Sequence, residues 1–212
     1  MPAVVVRAAR IAARDHQGVV GYRIHRANSL HAGLYHRTDD VELAVVFEND
    51  RLVKVRVLRD ATDGKPASDA AKAQLAATLE QGAPGQGFAV PFDARNFADY
   101  RFAVADASTV RFVSIERDAR HGDGTFSVDP SGAVVTLSYT PDVLPKYATS
   151  ALIVDQRAQV LPNFWATAHE TQRYDGRYGP FRGSAVVSTD EGGFQRFPNT
   201  AAALAALDAG RI

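Results

Sequence analysis

The feature that most constrains the fold is an alternation of apolar and polar residues that recurs along most of the chain. In the clearest case, Val53, Val55 and Val57 alternate with Lys54 and Arg56. Successive side chains of a strand point to opposite faces of a sheet, so this period predicts strands with one buried face. About ten or eleven such strands are predicted, at 20–25, 41–47, 53–57, 100–104, 109–117, 125–128, 134–139, 149–161, 163–174, 184–189 and 193–197.

Helical patterns are few and do not alternate with the strands. Alanine-rich segments predict helices over Val4–His16, Ala70–Glu80 and Thr200–Ala209, the second capped by Ser68 or Asp69. A doubly wound parallel sheet needs a helix after nearly every strand and is excluded. The sequence therefore predicts an α+β fold that is mainly antiparallel β, a strongly curved sheet or unclosed β-barrel with a few helices on one side.

Local signals predict the turns and the domain organisation. Glu48–Arg51 and Asp129–Gly132 have the composition of tight turns between antiparallel strands. Gly82–Pro91 has the composition of a mobile loop and is the single candidate for a domain boundary. Because too few strands precede this loop to close a core, residues 1–212 are predicted to form one domain.

Charge and cysteine content exclude several classes of function. Lys plus Arg and Asp plus Glu both number 24, so the net charge is zero and gives no general electrostatic attraction to nucleic acid. No stretch approaches the roughly 18 apolar residues that a membrane span requires. The chain contains no cysteine, which excludes thiolate catalysis and zinc sites built on cysteine.

Histidine positions give a weak signal for a metal or catalytic site. His31 and His36 are separated by an odd number of residues, so on one regular strand they would point to opposite faces. His169 and Glu170 are adjacent, but the second histidine of a helical zinc motif is missing. No metal and no cofactor are predicted, and a hydrolase site near His169, Glu170 and the aspartate-rich turns is kept as an alternative function.

Apolar and aromatic side chains recur on the regular faces of the predicted strands. A curved sheet with few helices has difficulty filling its own concavity, and such folds often enclose a ligand cavity. A filled core, as in a structural interaction domain, is the other interpretation of the same pattern. The predicted cavity residues are Tyr22, Ile24, Phe47, Val55, Phe102, Phe112, Phe126 and Trp165.

The order of elements resembles the LolA/RseB-like lipoprotein-carrier superfamily of bacterial envelopes. The resemblance rests on an N-terminal helix followed by Gly18–Ile24, a hairpin beginning at Gly124–Asp129, and a late strand ending in Gly193–Phe197. It implies an unclosed β-barrel with helices as a lid over an apolar cavity, and a non-enzymatic role in binding a lipid acyl chain or a lipoprotein. An envelope protein is a further implied partner.

Two expectations follow from applying this resemblance to the helices and the N-terminus. Alanine dominates the first two helices and buries little area, so these helices are predicted to form a weakly anchored lid. Its larger apolar side chains are Ile11, Leu75 and Leu79. The start of the chain, Met1–Val4, lacks the charged and apolar regions of a signal peptide. The expected location is the periplasm or cell envelope, or the cytoplasm if Met1 is the native start.

Overall fold

The computed structural model describes residues 1–15, 17–82, 88–178 and 180–212. His16, at the end of the first predicted helix, and residues 83–87 of the predicted mobile loop lie outside the described residues. The strands are β1 (Val19–Ala32), β2 (Tyr35–Glu48), β3 (Arg51–Thr62), β4 (Lys65–Pro66), β5 (Tyr100–Val104), β6 (Thr109–Ser114), β7 (Gly122–Val128), β8 (Val134–Pro141), β9 (Ala148–Leu161), β10 (Phe164–Tyr178) and β11 (Phe181–Phe197).

All of these strands form one antiparallel sheet in the order β4-β3-β2-β1-β11-β10-β9-β8-β7-β6-β5. Every neighbouring pair is consecutive in the chain except β1 and β11, which join the first strands to the last. The sheet does not close, because β5 and the β3–β4 hairpin occupy its two ends. The predicted unclosed, mainly antiparallel sheet of about eleven strands is therefore confirmed.

Within the described residues, three α-helices and a 3₁₀ helix accompany the sheet: α1 (Ala3–Asp15), α2 (Asp69–Gln81), the 3₁₀ helix (Ala94–Asp99) and α3 (Thr200–Asp208). Ser68 caps α2 as predicted, because its side chain accepts a hydrogen bond from the Ala71 N–H at 3.2 Å. The predicted turn at 129–132 also forms, with the Gly132 N–H donating to the Asp129 carbonyl at 2.9 Å.

The β2–β3 turn explains why two long strands can pair so closely. Asn49 and Asp50 both have positive φ, 48° and 65°, as the two central residues of a type I′ turn require. The Asn49 side chain accepts a hydrogen bond from the Gly18 N–H at 3.0 Å, and the Gly18 carbonyl accepts one from the Asn49 N–H at 2.9 Å. These bonds connect the turn to the start of β1.

The register of the ladders defines two faces of the sheet. Directly opposed residues of an antiparallel pair share a face, so Tyr22 of β1 and Val45 of β2 lie together. We call this face the inner face. The strand pairing across the sheet places Phe112 of β6 and Phe126 of β7 on the inner face as well. Val19 belongs to the opposite, outer face.

One half of the inner face, formed by β5 to β9 and α1 and called here the packed half, is a filled core. Phe112 and Phe126 are 0% and 1% exposed, and the Val5 side of α1 packs against them. The buried apolar positions of α1 are Val5, Ala8, Ala9 and Ala12, whereas Val4 and Ile11 are half-buried beside them. The helix thus presents small residues to the core and approaches the sheet closely.

Helix α3 corrects the expectation that the helices lie on one side of the sheet. Ala203, Ala206 and Leu207 of α3 pack with Val19 and Val46, which belong to the outer face. Helices therefore cover both faces. The period-two pattern does not predict a helix on the outer face. Val19 and Val20 at the start of β1 are both apolar and both buried, so they do not alternate.

Helix α2 lies along the free edge of β3, whereas the sequence predicted that it would cross the concave face. The Glu80 carboxylate accepts a hydrogen bond from the Val55 N–H at 3.0 Å and one from the Lys54 ammonium at 3.1 Å. No residue of α2 is fully buried. An edge strand presents unpaired N–H groups, and Glu80 satisfies one of them, so the helix protects the edge.

Candidate functional site

A groove of about 870 Å³ opens on the inner face, beside the β1–β2 and β10–β11 turns. This volume lies within the roughly 300–1,000 Å³ typical of ligand sites. Strands β1, β10 and β11 form its floor, and the segment that leads into β9 forms one wall. Its apolar lining includes Leu30, Leu34, Pro145, Tyr147, Phe181 and Val187.

Large apolar side chains at the rim of the groove are exposed to solvent. Phe181 is 56% exposed, Tyr147 is 51% exposed and Leu34 has full exposure. Exposed apolar side chains that cluster around a concavity are typical of ligand or partner sites, whereas single ones are ordinary. A ligand that covered them would bury apolar area, which contributes roughly 25 cal/mol per Å².

The lining of the groove carries more positive than negative side chains. Arg26, Lys146 and Arg177 are its cations, and Asp175 is its one carboxylate among the described residues. Asp175 already accepts a hydrogen bond from the Ser150 hydroxyl at 3.0 Å. The groove therefore combines apolar walls with an excess of positive charge.

A second, smaller cavity of about 190 Å³ lies at the other end of β1. Tyr22 stacks on Phe194 with ring centroids 4.5 Å apart and on Phe47 at 5.6 Å, and Phe164 continues this series from β10. These rings contact one another across the strands at this end of the open sheet. Trp165 also lines the cavity, and its backbone N–H donates to the Asp15 carboxylate at 2.9 Å.

Between the two cavities, three carboxyl groups of the inner face influence one another. Burial raises the pKa of Asp155 to about 6 against the opposing charge of Arg157, and Glu170 adds to the increase. Burial also raises the pKa of Glu191 to about 8, with Asp155 and Glu170 as further causes. One oxygen of Asp155 is buried without a hydrogen-bond partner in the described structure. Asp155 and Glu191 are therefore partly protonated near neutral pH.

The pair His169 and Glu170 is divided between the two faces of the sheet. His169 lies on the outer face, where its Nδ1 is 2.7 Å from the Asp190 carboxylate. Glu170 lies on the inner face and accepts a hydrogen bond from the Gln172 amide at 2.7 Å. Adjacent residues of a strand point to opposite sides, so these two cannot act on one substrate.

The parity argument for His31 and His36 is wrong. A turn at Gly33 and Leu34 places the two histidines on neighbouring strands, where they are paired directly with ring centroids 4.3 Å apart. They therefore share the outer face. Among the described residues, no group of three or more histidine, aspartate or glutamate side chains is arranged to hold a metal.

The predicted cavity residues are distributed over three environments. Phe112 and Phe126 are in the packed core, and Phe102 is half-buried against it. Val55 is buried on β3, while Ile24 is half-buried on the inner face of β1. The structure brings together only three of them, as lining of the smaller cavity: Tyr22, Phe47 and Trp165.

The large groove is lined by residues that the sequence reasoning missed. Leu30 and Phe181 lie outside the predicted strands, because β1 and β11 extend beyond the runs of clear alternation, whereas Val187 lies within the predicted strand 184–189. A signal did exist: Leu34 and Tyr35 are large apolar residues next to Gly33, in a turn that ordinarily contains polar residues. The lid positions Ile11, Leu75 and Leu79 are half-buried, and none of them lines the groove.

No family model matches the chain, and no curated protein matches it. The chain is similar to the solved structure of a DUF1329 family protein from Desulfovibrio piger, with 11% identity, a TM-score of 0.47 and coverage of 92% of each chain. It is also similar to MucB in complex with MucA(peri), with 8% identity, a TM-score of 0.27 and coverage of 92% of this chain and 99% of that one. The complex of MucA and MucB from Pseudomonas aeruginosa gives 9% identity and the same TM-score.

With identities of 11% or less and TM-scores below 0.5, these likenesses assign neither a family nor a function to the chain. No helix among the described residues is long and apolar enough to cross a membrane.

Proposed function

We propose that this protein is a non-enzymatic binding protein that holds an apolar chain, of the fatty acyl type, in the groove. The observation that carries the proposal is the coincidence of a concavity of about 870 Å³ with exposed rim residues such as Phe181. A long, narrow apolar ligand could contact Leu30 on the floor and Phe181 at the rim simultaneously. Burial of these side chains would supply most of the affinity.

The contrast within the inner face supports the choice of the groove over the remainder of the sheet. In the packed half, α1 fills the space above Phe112 and Phe126. Over the ends of β1, β10 and β11, none of the described helices occupies the equivalent space, and the apolar lining borders an open cavity. A bound ligand would cover the groove, as α1 covers the packed half.

Native mass spectrometry of the purified protein tests this proposal. We expect bound lipid, or uptake of one molecule of 1-dodecanol by the delipidated protein. The variant Leu30→Asp puts a charge on the floor of the groove and should abolish uptake. The matched control Leu152→Asp changes an exposed leucine on the outer face of β9, and uptake should be retained. Equal uptake by both variants would contradict the proposal.

A hydrolase is the second candidate, because Asp155 and Glu191 have raised pKa values on the inner face. Such groups can act as general acids near neutral pH. The smaller cavity beside Glu191 would have to receive the substrate. Turnover of nitrophenyl esters or glycosides that is lost in Glu191→Gln would favour this candidate. If neither the wild-type protein nor Glu191→Gln turns over these substrates, the binding function is favoured.

Location in the bacterial envelope and association with an envelope protein are part of the proposal as well. Both follow from the resemblance to LolA/RseB-like carriers. Fractionation of cells that express the native gene, followed by cross-linking in the compartment that contains the protein, would test them.

A further inference from the structure

Two cations of the groove lining, Arg26 and Lys146, differ from the arginines of this protein that pair with carboxylates. Arg37 and Arg95 each bind a carboxylate within 2.8 Å, and Arg117 bridges Asp123 and Asp142. Arg26, in the lining of the groove, makes no ion pair with any carboxylate in the described parts of the chain. Lys146 lies over the Tyr147 ring at 4.9 Å and likewise has no described carboxylate partner.

The position of Arg26 on β1 makes this difference informative. Asp39, on the same face of β2, is bound to Arg37, to the Asn28 amide at 3.2 Å and to the Thr62 hydroxyl at 2.8 Å. The Asp39 carboxylate is therefore already satisfied by other donors. Arg26 is left with its charge directed at the groove.

Tyr174 shows where the Arg26 charge acts. Burial raises the pKa of this phenol, Glu170 raises it further, and Arg26 opposes the increase. Tyr174 lines the groove and donates its hydroxyl hydrogen bond to the Gln172 side chain at 2.8 Å. The guanidinium is thus close to a groove side chain, while Arg157 is the cation that faces the carboxyl cluster of Asp155.

We propose that the groove is selective for anionic amphiphiles, and that Arg26, assisted by Lys146, binds the carboxylate or phosphate headgroup. This inference rests on the proposed function and identifies its ligand class. An arginine presents a planar set of N–H donors that fits a carboxylate or a phosphate with two hydrogen bonds. The apolar lining around it would receive the chain of the same ligand.

Equilibrium titrations at pH 8 with ligands that share a twelve-carbon chain test the proposal. Laurate and dodecyl phosphate carry the two anionic headgroups, 1-dodecanol is neutral, and dodecyltrimethylammonium is cationic. We expect the preferred anion to bind at least about tenfold more tightly than dodecanol, and the cationic ligand to bind most weakly. The comparison of laurate with dodecyl phosphate identifies the preferred headgroup.

Two variants separate the role of Arg26 from a general effect of charge. Arg26→Gln should reduce anion affinity to about that of dodecanol, and should weaken dodecanol binding much less than anion binding. Arg173→Gln is the matched control, because Arg173 is an exposed arginine on the outer face of β10, next to Gln172 and Tyr174. It should retain the wild-type preference. Added salt should weaken anion binding more than dodecanol binding.

The results distinguish failure of this inference from failure of the proposed function. If dodecanol binds as tightly as both anions, or if Arg26→Gln weakens all ligands equally, the groove binds apolar chains without headgroup selection and the inference is wrong. If none of the four ligands binds, the proposed function is wrong too. Circular dichroism of each variant establishes that an affinity change does not come from unfolding.

Discussion

The two ends of the inner face use the same kind of strand for different purposes. Over β5 to β9, Phe112 and Phe126 are sealed under α1, whose small residues allow close approach. Over the ends of β1, β10 and β11, Phe181 and Tyr147 remain exposed around a groove. The difference shows that alternation alone predicts which face is apolar, and that the covering element decides whether the face becomes core or site.

The largest expected effect compares one phenylalanine from each end. Phe112→Ala should lower the free energy of unfolding by about 3–5 kcal/mol, because it leaves a cavity in a packed core. Phe181→Ala should lower it by less than about 0.5 kcal/mol, because an exposed ring has few contacts to lose. Urea denaturation of both variants measures the two values. Similar losses of unfolding free energy in the two variants would contradict the distinction between a packed half and an open groove.

The carboxyl cluster between the two ends gives a pH-dependent prediction. Because burial raises the pKa of Glu191 to about 8 and that of Asp155 to about 6, the folded state favours their protonated forms. Their contribution to stability is complete below about pH 4 and is lost as the pH rises through 6 to 8. Glu191→Gln should therefore raise the unfolding free energy at pH 8, by about 1–3 kcal/mol, and change it little at pH 4.

The control for this experiment is the neighbouring carboxylate on the outer face. Asp190 pairs with His169 at 2.7 Å, away from the cluster. Asp190→Asn should not give the gain in stability at pH 8 that is specific to the inner face. A pH profile for Glu191→Gln that runs parallel to the wild-type profile would show that the Glu191 carboxyl is ionised normally.

The smallest effect concerns the edge of the sheet. Glu80→Gln keeps the shape of the side chain but removes the charge that binds the Val55 N–H and Lys54, so a loss of about 0.5–1.5 kcal/mol is expected. Hydrogen exchange should show faster exchange across 69–81, with β5 to β9 unchanged as the internal reference. The double variant Leu75→Ala and Leu79→Ala should do the same if α2 is weakly held, as the lid hypothesis requires.

Elements with local causes could be predicted from the sequence, while contacts distant in the chain could not. The 129–132 turn and the Ser68 cap depend on a few adjacent residues, and both formed as expected. The pairing of β1 with β11 depends on register over more than 150 residues, including a shift at Gly21. Because Glu191 reaches the inner face through that pairing, its position beside Asp155 had no local signal.

The candidate site shows the same limit. The sequence predicts Tyr22 and Phe47 as cavity residues because they lie in runs of clear alternation, and they meet in the smaller cavity. Leu30 and Phe181 lie where the strands continue past the clear pattern, in segments rich in small and polar residues. Which apolar face stays uncovered depends on where α1 packs, and the sequence of the strands does not contain that information.

A spin-labelled fatty acid tests the central claim, that the groove and not the packed half binds an apolar chain. With 16-doxyl stearate bound to the isotope-labelled protein, paramagnetic broadening reports which amides lie near the chain. The account predicts strong loss of signal at residues 27–32 and 181–187, full signal at residues 110–128, and recovery when laurate displaces the probe. Broadening centred on 110–128, or spread evenly over the sheet, would contradict it.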